Sequence, residues 1–582
     1  MPTLNWIGKE AVEKHHKEVP YRLLEPVVEL SCGDEQSGNL LVQGDNLHAL
    51  KALLPRYAGK VKCIYIDPPY NTGNEKWAYN DNVNSPEIRK WLGEAVGKEG
   101  ETLDRHDRWL CMMYPRLLLL RKLLSDDGII FISIGDDELG HLILMMDEIF
   151  GKNNQIANFV WKSRAKPSNT GEAKLKPQND AEYIVAYRKK NKPKFNLINS
   201  GVARSYPHTD IDGNYRLQTI LKSNRGENKR ETMQFSLAGY TPPPTKRWQA
   251  GFDTVSELYN RNRITFQTGE PMLKYYEHEE AEEFKPFYCF VGTSNSGTAE
   301  SGKKVLNNIL GLEHGFDTVK PTSIIEYLLE RVLGKEDIVL DSFAGSGTTA
   351  HAVLNLNKKD QGNRKFILIE MDEQIAKSVT MARIKKVING YQYKGKSKDI
   401  LFSQMLNFKS LLKANEILEN VESIKELNKE NYSSIKVEMN ENYLEVIGET
   451  TIVNHTEGID GNFQFFKLSQ EPLFDASGHI RADVSFSQLA EFVWFSETGT
   501  GYTGKADSPL LGVFEGRAIY LLYNGILKDI TDEGGNILTK QVFDVLPKFD
   551  GAKVIYAAAN RLGIKAKRKN IVFKQTPYAL EV

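Results

Sequence analysis

The sequence predicts an α/β chain: one largely parallel sheet with helices on both faces, assembled from two stretches separated by an insertion. Three observations carry this reading. Strand-like and helix-like segments alternate over residues 39–150, the rhythm is lost over 158–310, and it returns over 311–390. Short apolar runs alternating with segments of helical period are the pattern of βαβ units, whose crossovers are right-handed.

In chain order, Asn39–Gln43 leads into Gly44-Asp45-Asn46, where Asp45 or Asn46 caps a helix carried by Leu47, Leu50, Leu53 and Leu54. Val61–Ile66 is an apolar run that reads as a buried strand, ending in Asp67-Pro68-Pro69-Tyr70. A polar loop fills 71–100, and Arg105–Leu124 reads as a helix. Ser125-Asp126-Asp127-Gly128 is a turn, Ile129–Ile134 a second buried strand, and Gly135-Asp136-Asp137-Glu138 opens a helix through Leu142, Met145, Met146 and Ile149. After the insertion, Lys320-Pro321 precedes a helix that ends near Leu333. Asp337–Asp341 is a strand, Phe343–Thr349 a glycine loop, Ala350–Leu356 a helix and Lys365–Glu370 another strand. Leu411, Leu418, Val421, Ile424 and Leu427 fall at helical spacing and predict a helix over 401–428. Beyond 432, short strand-like runs such as Ala518–Leu522 and Val554–Tyr556 predict a small α+β domain.

The expected organisation is an N-terminal extension (1–38), a first half-domain (39–157), an inserted domain (158–310) and a second half-domain (311–390). A helical linker or dimerisation element (391–430) and the C-terminal α+β domain (431–582) follow. A chain of 582 residues with 41% hydrophobic content has ample material for several cores. The formal net charge of -1 excludes a global basic field, so a polyanion partner would need a local patch. Cys32, Cys63, Cys111 and Cys289 lie far apart, fit no metal-ligand spacing and suggest no disulfide framework, so no metal and a cytoplasmic setting are expected. The apolar stretch Leu117–Leu120 is cut off by Arg121 and Lys122, too soon for a membrane span.

Two motifs carry chemistry. In Asp67-Pro68-Pro69-Tyr70 the prolines fix φ and remove two N–H donors, leaving carbonyl and carboxylate acceptors beside an aromatic ring. That combination suits a planar group that donates hydrogen bonds, such as the exocyclic amine of a nucleobase; the plainer reading is a strand ending in a proline turn. Asp341-Ser342-Phe343-Ala344-Gly345-Ser346-Gly347-Thr348-Thr349 follows a strand and opens a helix, as nucleotide-binding loops do. By itself it is compatible with NAD, FAD or S-adenosylmethionine, or with a glycine turn that binds nothing. Glu370, at the end of the next strand, supplies a carboxylate that suits ribose hydroxyls.

Together the two motifs resemble the S-adenosylmethionine-dependent amino-methyltransferases of DNA. Asp-Pro-Pro-Tyr precedes the glycine loop, as in the permuted beta group of that family, and Ile129–Glu138 with Phe150-Gly151 is similar to the modification subunits of Type III restriction-modification systems. The resemblance covers about 39–390. It implies a Rossmann-like methyltransferase sheet with an inserted target-recognition domain, S-adenosyl-L-methionine as cofactor and double-stranded DNA as partner. It implies catalytic roles for Asp67, Pro68, Pro69 and Tyr70. It implies cofactor contacts for Asp45, Lys320, Pro321, Asp341, Phe343, Ala344, Gly345, Gly347, Thr348 and Glu370. Asp45 reads equally as a helix cap, Lys320 as a solvated charge, and Pro321 as a common first-turn helix residue. The segment Phe316–Pro321 would face the cofactor's methionine end.

On this resemblance, Asp67 and the Pro68 carbonyl accept the hydrogens of an adenine N6 amine and Tyr70 stacks on a base flipped out of the duplex. The acid, where relatives acting on cytosine N4 more often carry serine, points to adenine. A homodimer and a restriction subunit with helicase and nuclease activity are the further partners implied. No phosphate-binding G-x-x-x-x-G-K-[ST] occurs in this chain. A solitary methyltransferase, one belonging to another defence system, a cytosine-N4 enzyme and a non-catalytic DNA-binding scaffold are the alternatives. In the insertion, Lys162, Arg164, Lys166, Arg204, Tyr206, Arg216, Lys222, Arg225, Lys229, Arg230, Lys246, Arg247 and Trp248 are candidates for phosphate or base contact, or ordinary surface residues; Arg225–Arg230 is the densest basic cluster. The loop 71–100, with Asn74, Lys76 and Trp77, either closes over the base or is simply long.

Overall fold

The computed structural model describes residues 4–576 except 34–37, 73–100, 167–170, 172–174, 176, 200–203, 226–228, 268, 281–283, 317, 476, 524–525 and 528–534, and except the side chains of 101–104 and 411. The chain divides into two units, Met1–Asn196 with Tyr288–Val582, and Leu197–Phe287.

The larger unit is built on a ten-stranded sheet. Its strands are β1 (Arg22–Pro26), β2 (Leu40–Gln43), β3 (Val61–Ile66), β4 (Leu124–Ile134), β5 (Gln155–Lys162), β6 (Ala181–Arg188), β7 (Phe290–Val291), β8 (Ile338–Asp341), β9 (Lys365–Glu370) and β10 (Gln464–Pro472). Their order is β1-β10-β2-β9-β8-β3-β4-β6-β5-β7. The strands from β10 to β4 run parallel, and β1 and β6 run against their neighbours.

The helices that matter for the site are α1 (Asn46–Tyr57), α2 (Glu101–Leu123), α3 (Asp136–Met146), α4 (Ala299–Leu310), α5 (Thr322–Val332), α6 (Thr348–Asp360) and α7 (Phe486–Thr498). One face of the sheet, carrying Val42, Ile64, Ile66, Ile130, Ile132, Leu340, Ile367 and Ile369, shares a core with α1, α2, α3 and α7. The alternate residues Cys63, Tyr65, Val339, Phe366 and Leu368 are buried on the opposite face, where α5 and α6 pack on each other and α5 reaches β3. Strands buried on both faces explain why β3, the Ile129–Ile134 part of β4, β8 and β9 read as largely apolar runs. Among the described residues, no helix is long and apolar enough to cross a membrane.

Chain direction fixes where a ligand can sit. From β3 the chain crosses by α2 to β4 on one side; from β8 it crosses by α6 to β9 on the other. Adjacent parallel strands whose crossovers diverge leave a crevice beyond their carboxyl ends. Leu340 pairs with Ile64, so Asp67 and the 342–347 loop emerge side by side there.

The structure corrects four expectations. The compact insertion is Leu197–Phe287, narrower than 158–310, because β5, β6 and β7 extend the main sheet and α4 packs within the larger unit. The turn at 125–128 lies inside β4: Val61 pairs with Leu124 but Cys63 with Ile129, so these residues bulge out of a continuing strand. Tyr391–Met405, expected to be helical, is a strand paired with Tyr443–Thr456, and helix is confined to Phe408–Leu411 and Ala414–Asn428. Its half-buried and exposed residues alternate, but the alternation is written mostly in polar side chains. The region 431–582 is not a separate domain. Its strand β10 lies between β1 and β2, and α7 packs on α1. The remainder includes a four-stranded sheet, Leu510–Phe514, Arg517–Leu521, Ala552–Ala557 and Ile571–Gln575, with a core of its own.

The smaller unit holds an antiparallel sheet ordered Ile264–Thr265, Met272–Tyr276, Gly213–Thr219 and His208–Asp210. A two-stranded ladder of Leu221–Ser223 with Lys246–Trp248 and a helix, Phe252–Asn260, accompany it. Its core gathers Ile220, Leu221, Trp248, Val255 and Ile264.

Candidate active site at the carboxyl edge of the sheet

The Asp67–Tyr70 turn is anchored by the helices beside it. Trp109 Nε1 of α2 donates to the Pro69 carbonyl at 2.8 Å. Asn71 adopts a left-handed φ of 56°, and its amide donates to the Arg105 carbonyl at 3.2 Å and to the Glu138 carboxylate. Glu138 is fully buried and also meets His106 Nδ1 at 2.5 Å and His141 Nδ1 at 2.8 Å. The hydrogen bond to Glu138 raises the His141 pKa above its ordinary value. Donor atoms of these three side chains lie within 4.8 Å of one another, and the carboxylate between them is occupied by two imidazoles and an amide. The hub therefore ties the end of the turn to α2 and α3 together.

Across the crevice, Lys320 Nζ lies 2.9 Å from Asp67 Oδ1 and 2.8 Å from Oδ2. It also lies 3.2 Å from Glu182 Oε2, and that oxygen accepts the Tyr70 hydroxyl at 2.8 Å. The ammonium stands 4.9 Å from the Tyr70 ring centre and 5.8 Å from that of Trp161. Burial would lower the Lys320 pKa, but Asp67, Tyr70 and Glu182 raise it well above the usual lysine value. Burial would likewise raise Glu182, yet Lys320 and the Tyr70 hydroxyl hold it below the carboxylate norm. Burial pushes the Tyr70 hydroxyl well up, with Asp67 adding to the effect, so it remains a donor.

Two glycines set these positions. A Cβ on Gly302 of α4 would stand 2.1 Å from the Val319 carbonyl, so only glycine lets the 319–321 segment lie on the helix and deliver Lys320. A Cβ on Gly135 would stand 3.1 Å from the Tyr70 ring, which rests on that backbone.

The glycine loop is fixed from below. Asp341 Oδ1 accepts the Phe343 amide at 3.0 Å, and Thr349 donates to Oδ2 at 2.5 Å. Glu370 Oε2 accepts the Gly345 amide at 2.8 Å, and its Oε1 the Asp372 amide at 3.0 Å. Burial raises both carboxyls, Asp341 to about 7 and Glu370 to about 7. Gly345 and Gly347 have φ of 49° and 73°, where a side chain is strained. Fully buried Arg383, from the helix Ala382–Asn389, donates to the Ser346 carbonyl at 3.1 Å and to the Thr348 hydroxyl at 2.8 Å. Phe343 and Ala344 are buried in the loop. Asp45 caps α1 through the His48 amide at 2.9 Å, and its other oxygen lies 3.7 Å from buried Arg116. Asn46 reaches the Ser342 carbonyl at 3.3 Å. Pro321 directly precedes α5 in extended conformation.

A family model described as DNA methylase matches residues 61–381, which contain both motifs and the whole crevice between them. The chain belongs to the DNA methylase family. Among its relatives, the Type III restriction-modification enzyme StyLTI Mod subunit of Salmonella typhimurium is 33% identical over 393 residues, 64% of this chain and 59% of that one. The EcoP15I Mod subunit of Escherichia coli is 31% identical over 64% of each chain. The Type II methyltransferase M.KpnI of Klebsiella pneumoniae is 30% identical over 60% of this chain and 84% of that one. The match thus spans 59% and 64% of the two Mod subunits' lengths.

For this DNA methylase, the structure brings Asp67, Pro68, Pro69, Tyr70 and Lys320 to one point of the crevice, and Asp341–Thr348 with Glu370 to the neighbouring strand ends. Lys320, expected at a cofactor's methionine end, is paired with Asp67. Sequence reasoning missed Glu182, Glu138 and Arg383, which lie in unremarkable contexts; the polar Glu182 at the start of an apolar strand is the one available signal. Trp248 is fully buried and belongs to a core, not to a base-reading surface. Arg204 and Arg216 both pair with Glu280, and Lys246 with Glu270. Lys222, Arg225, Lys229 and Arg230 are exposed. Asn74, Lys76, Trp77, Asp317 and residues 226–228 lie outside the described residues.

Proposed function

We propose that this chain transfers a methyl group from S-adenosyl-L-methionine to N6 of an adenine in double-stranded DNA, as the modification subunit of a restriction-modification system. The observation that carries the reading is the Asp67 carboxylate at the end of β3, beside the Tyr70 ring and next to a glycine loop on the neighbouring strand. The names of the relatives, three Type III Mod subunits and a Type II methyltransferase among them, support it.

The glycine loop fits the cofactor. Ser342 Oγ is buried with no hydrogen-bond partner among the described residues, and the nearest atom to a Cβ on Gly345 would stand 3.7 Å away, leaving room for close approach. Asp45, Pro321, Asp341, Phe343, Ala344, Gly345, Gly347, Thr348 and Glu370 would hold it, Glu370 through lone pairs its two amide partners leave unused. When bound, the cofactor supplies an electrophilic sulfonium methyl.

The chain's own residues activate the amine, whose lone pair is delocalised into the adenine ring. Asp67 accepts one N6 hydrogen and the Pro68 carbonyl the other. This draws nitrogen towards a tetrahedral geometry and aims its lone pair. The contribution is orientation and electrostatic stabilisation of the positive charge that develops on nitrogen. The amine needs no strong general base, because its proton becomes acidic as the nitrogen acquires charge. Tyr70 stacks on the flipped base, worth about 1–3 kcal/mol against the few kcal/mol that flipping costs.

Exposed Lys222, Arg225, Lys229 and Arg230 of the smaller unit are the best candidates for phosphate contact. A second copy of the chain is a further partner of this reading. A restriction subunit is the remaining partner of this reading. Single-molecule sequencing of DNA from cells expressing the chain tests it. N6-methyladenine at a fixed sequence, on one strand for a Type III-like role, is expected; N4-methylcytosine, or unmodified DNA, would overturn it.

A further inference from the structure

The cation at the reacting carboxylate has two holders, and only one of them belongs to the motif. Lys320 Nζ reaches both Asp67 oxygens at 2.9 and 2.8 Å and Glu182 Oε2 at 3.2 Å. An ammonium has three N–H donors, so this arrangement uses its full complement. On the adenine-N6 reading, on which this inference rests, an incoming amine must donate to Asp67 from the ground that the ammonium holds. The lysine cannot simply withdraw to water. Its side chain is 14% exposed and lies between the Tyr70 and Trp161 rings. Glu182 is the carboxylate already in contact with it, and the same Oε2 holds the Tyr70 hydroxyl at 2.8 Å.

We propose that Glu182 is a positioning residue that takes over Lys320 when the target amine engages Asp67. Asp67 then exchanges one donor for another while the lysine charge stays compensated. Because Glu182 also anchors Tyr70, the ring that receives the base and the cation that makes way for it share one acceptor. Asp67 thus has a donor at every stage, and the ammonium is never left among aromatic rings without a carboxylate, which would be costly.

Two measurements on the full-length protein test this. The first needs no methylation. Thermal melts of Asp67→Asn, Glu182→Gln and the double variant report whether the two carboxylates share one cation. Each single variant leaves Lys320 a partner, so the double variant should lose more in melting temperature than the two singles added together. Adding Lys320→Met to the double should recover that excess. Additive losses would overturn the sharing.

The second is methyl transfer with labelled cofactor. Glu182→Gln should lower kcat at least tenfold while KM for the cofactor stays within twofold. Glu182→Gln added to Lys320→Met should cost nothing further. Full activity in Glu182→Gln, or losses that multiply in the double variant, would overturn the hand-over with the adenine reading intact. A wild-type protein that methylates no adenine overturns the reading itself, and the hand-over with it.

Discussion

Lys320 and Asp67, 253 positions apart in the chain, meet as an ammonium 2.8–2.9 Å from both oxygens of a carboxylate. The contact joins the end of β3 to the segment before α5, and so ties together the two stretches that the insertion separates. Lys320→Met would strand Asp67 and Glu182 as neighbouring carboxylates without their cation. Because Asp67 is 31% exposed, the expected loss is about 1–3 kcal/mol, below the ~3–5 kcal/mol of a fully buried pair. The shift in urea midpoint at unchanged slope checks it.

Lys320 depends on Gly302. A Cβ there would stand 2.1 Å from the Val319 carbonyl and 2.8 Å from the Pro321 nitrogen, both backbone atoms. Gly302→Ala should therefore displace the 319–321 segment, cost about 1–3 kcal/mol as overpacking does, and lower methyl transfer at least tenfold. Melting temperature and initial rates measure the two effects; a variant with wild-type values of both would show that the segment yields freely.

Glu370 carries a pH signature. Burial raises its carboxyl from 4.5 to about 7, so between these values the folded chain keeps a proton that the unfolded chain has lost. The contribution of this group to stability therefore falls as pH rises from about 4.5 to about 7 and is constant above. Glu370→Gln removes that slope. The urea midpoint of the wild type should fall relative to that of the variant as pH rises through this window, and a difference independent of pH would contradict the assignment. Only ionised Glu370 accepts fully from ribose hydroxyls, so wild-type cofactor affinity should rise between pH 6 and 8.

How far the sequence could be read depended on how each residue announces its role. β3, the Ile129–Ile134 part of β4, β8 and β9 were legible because strands buried on both faces are largely apolar runs, and Asp67-Pro68-Pro69-Tyr70 because two prolines at a strand end restrict the backbone. β10 was not, since nothing in Gln464–Pro472 says that it leaves the C-terminal region to pair with Leu40–Gln43. Tyr391–Met405 was misread because polar residues wrote its alternation, while the leucines after it set a helical period. The roles of Glu182 and Glu138 were missed for a different reason. A buried carboxylate is identified by partners that only the fold supplies, here Tyr70 and Lys320 in one case and Asn71, His106 and His141 in the other.

The smaller unit separates stability from binding. Trp248 is fully buried and its indole nitrogen donates to the Phe235 carbonyl at 2.8 Å, so Trp248→Ala should cost about 3–5 kcal/mol and unfold that unit. Exposed Lys222, Arg225, Lys229 and Arg230 should tolerate alanine with little change in melting. If they contact phosphates, the fourfold variant should bind DNA more weakly at every sequence, with a shallower dependence on salt. Fluorescence anisotropy across a salt series reads both quantities, and an unchanged slope would remove these residues from the interface.

On the proposed function, Asp67 presents an adenine amine for methylation. The most direct measurement incubates the full-length protein with double-stranded DNA and methyl-labelled S-adenosylmethionine, then digests the DNA to nucleosides. Label in N6-methyladenine is expected from the wild type and none from Asp67→Ala, with cofactor affinity by calorimetry within a few-fold of wild type. Label in N4-methylcytosine, or transfer that survives Asp67→Ala, would contradict it.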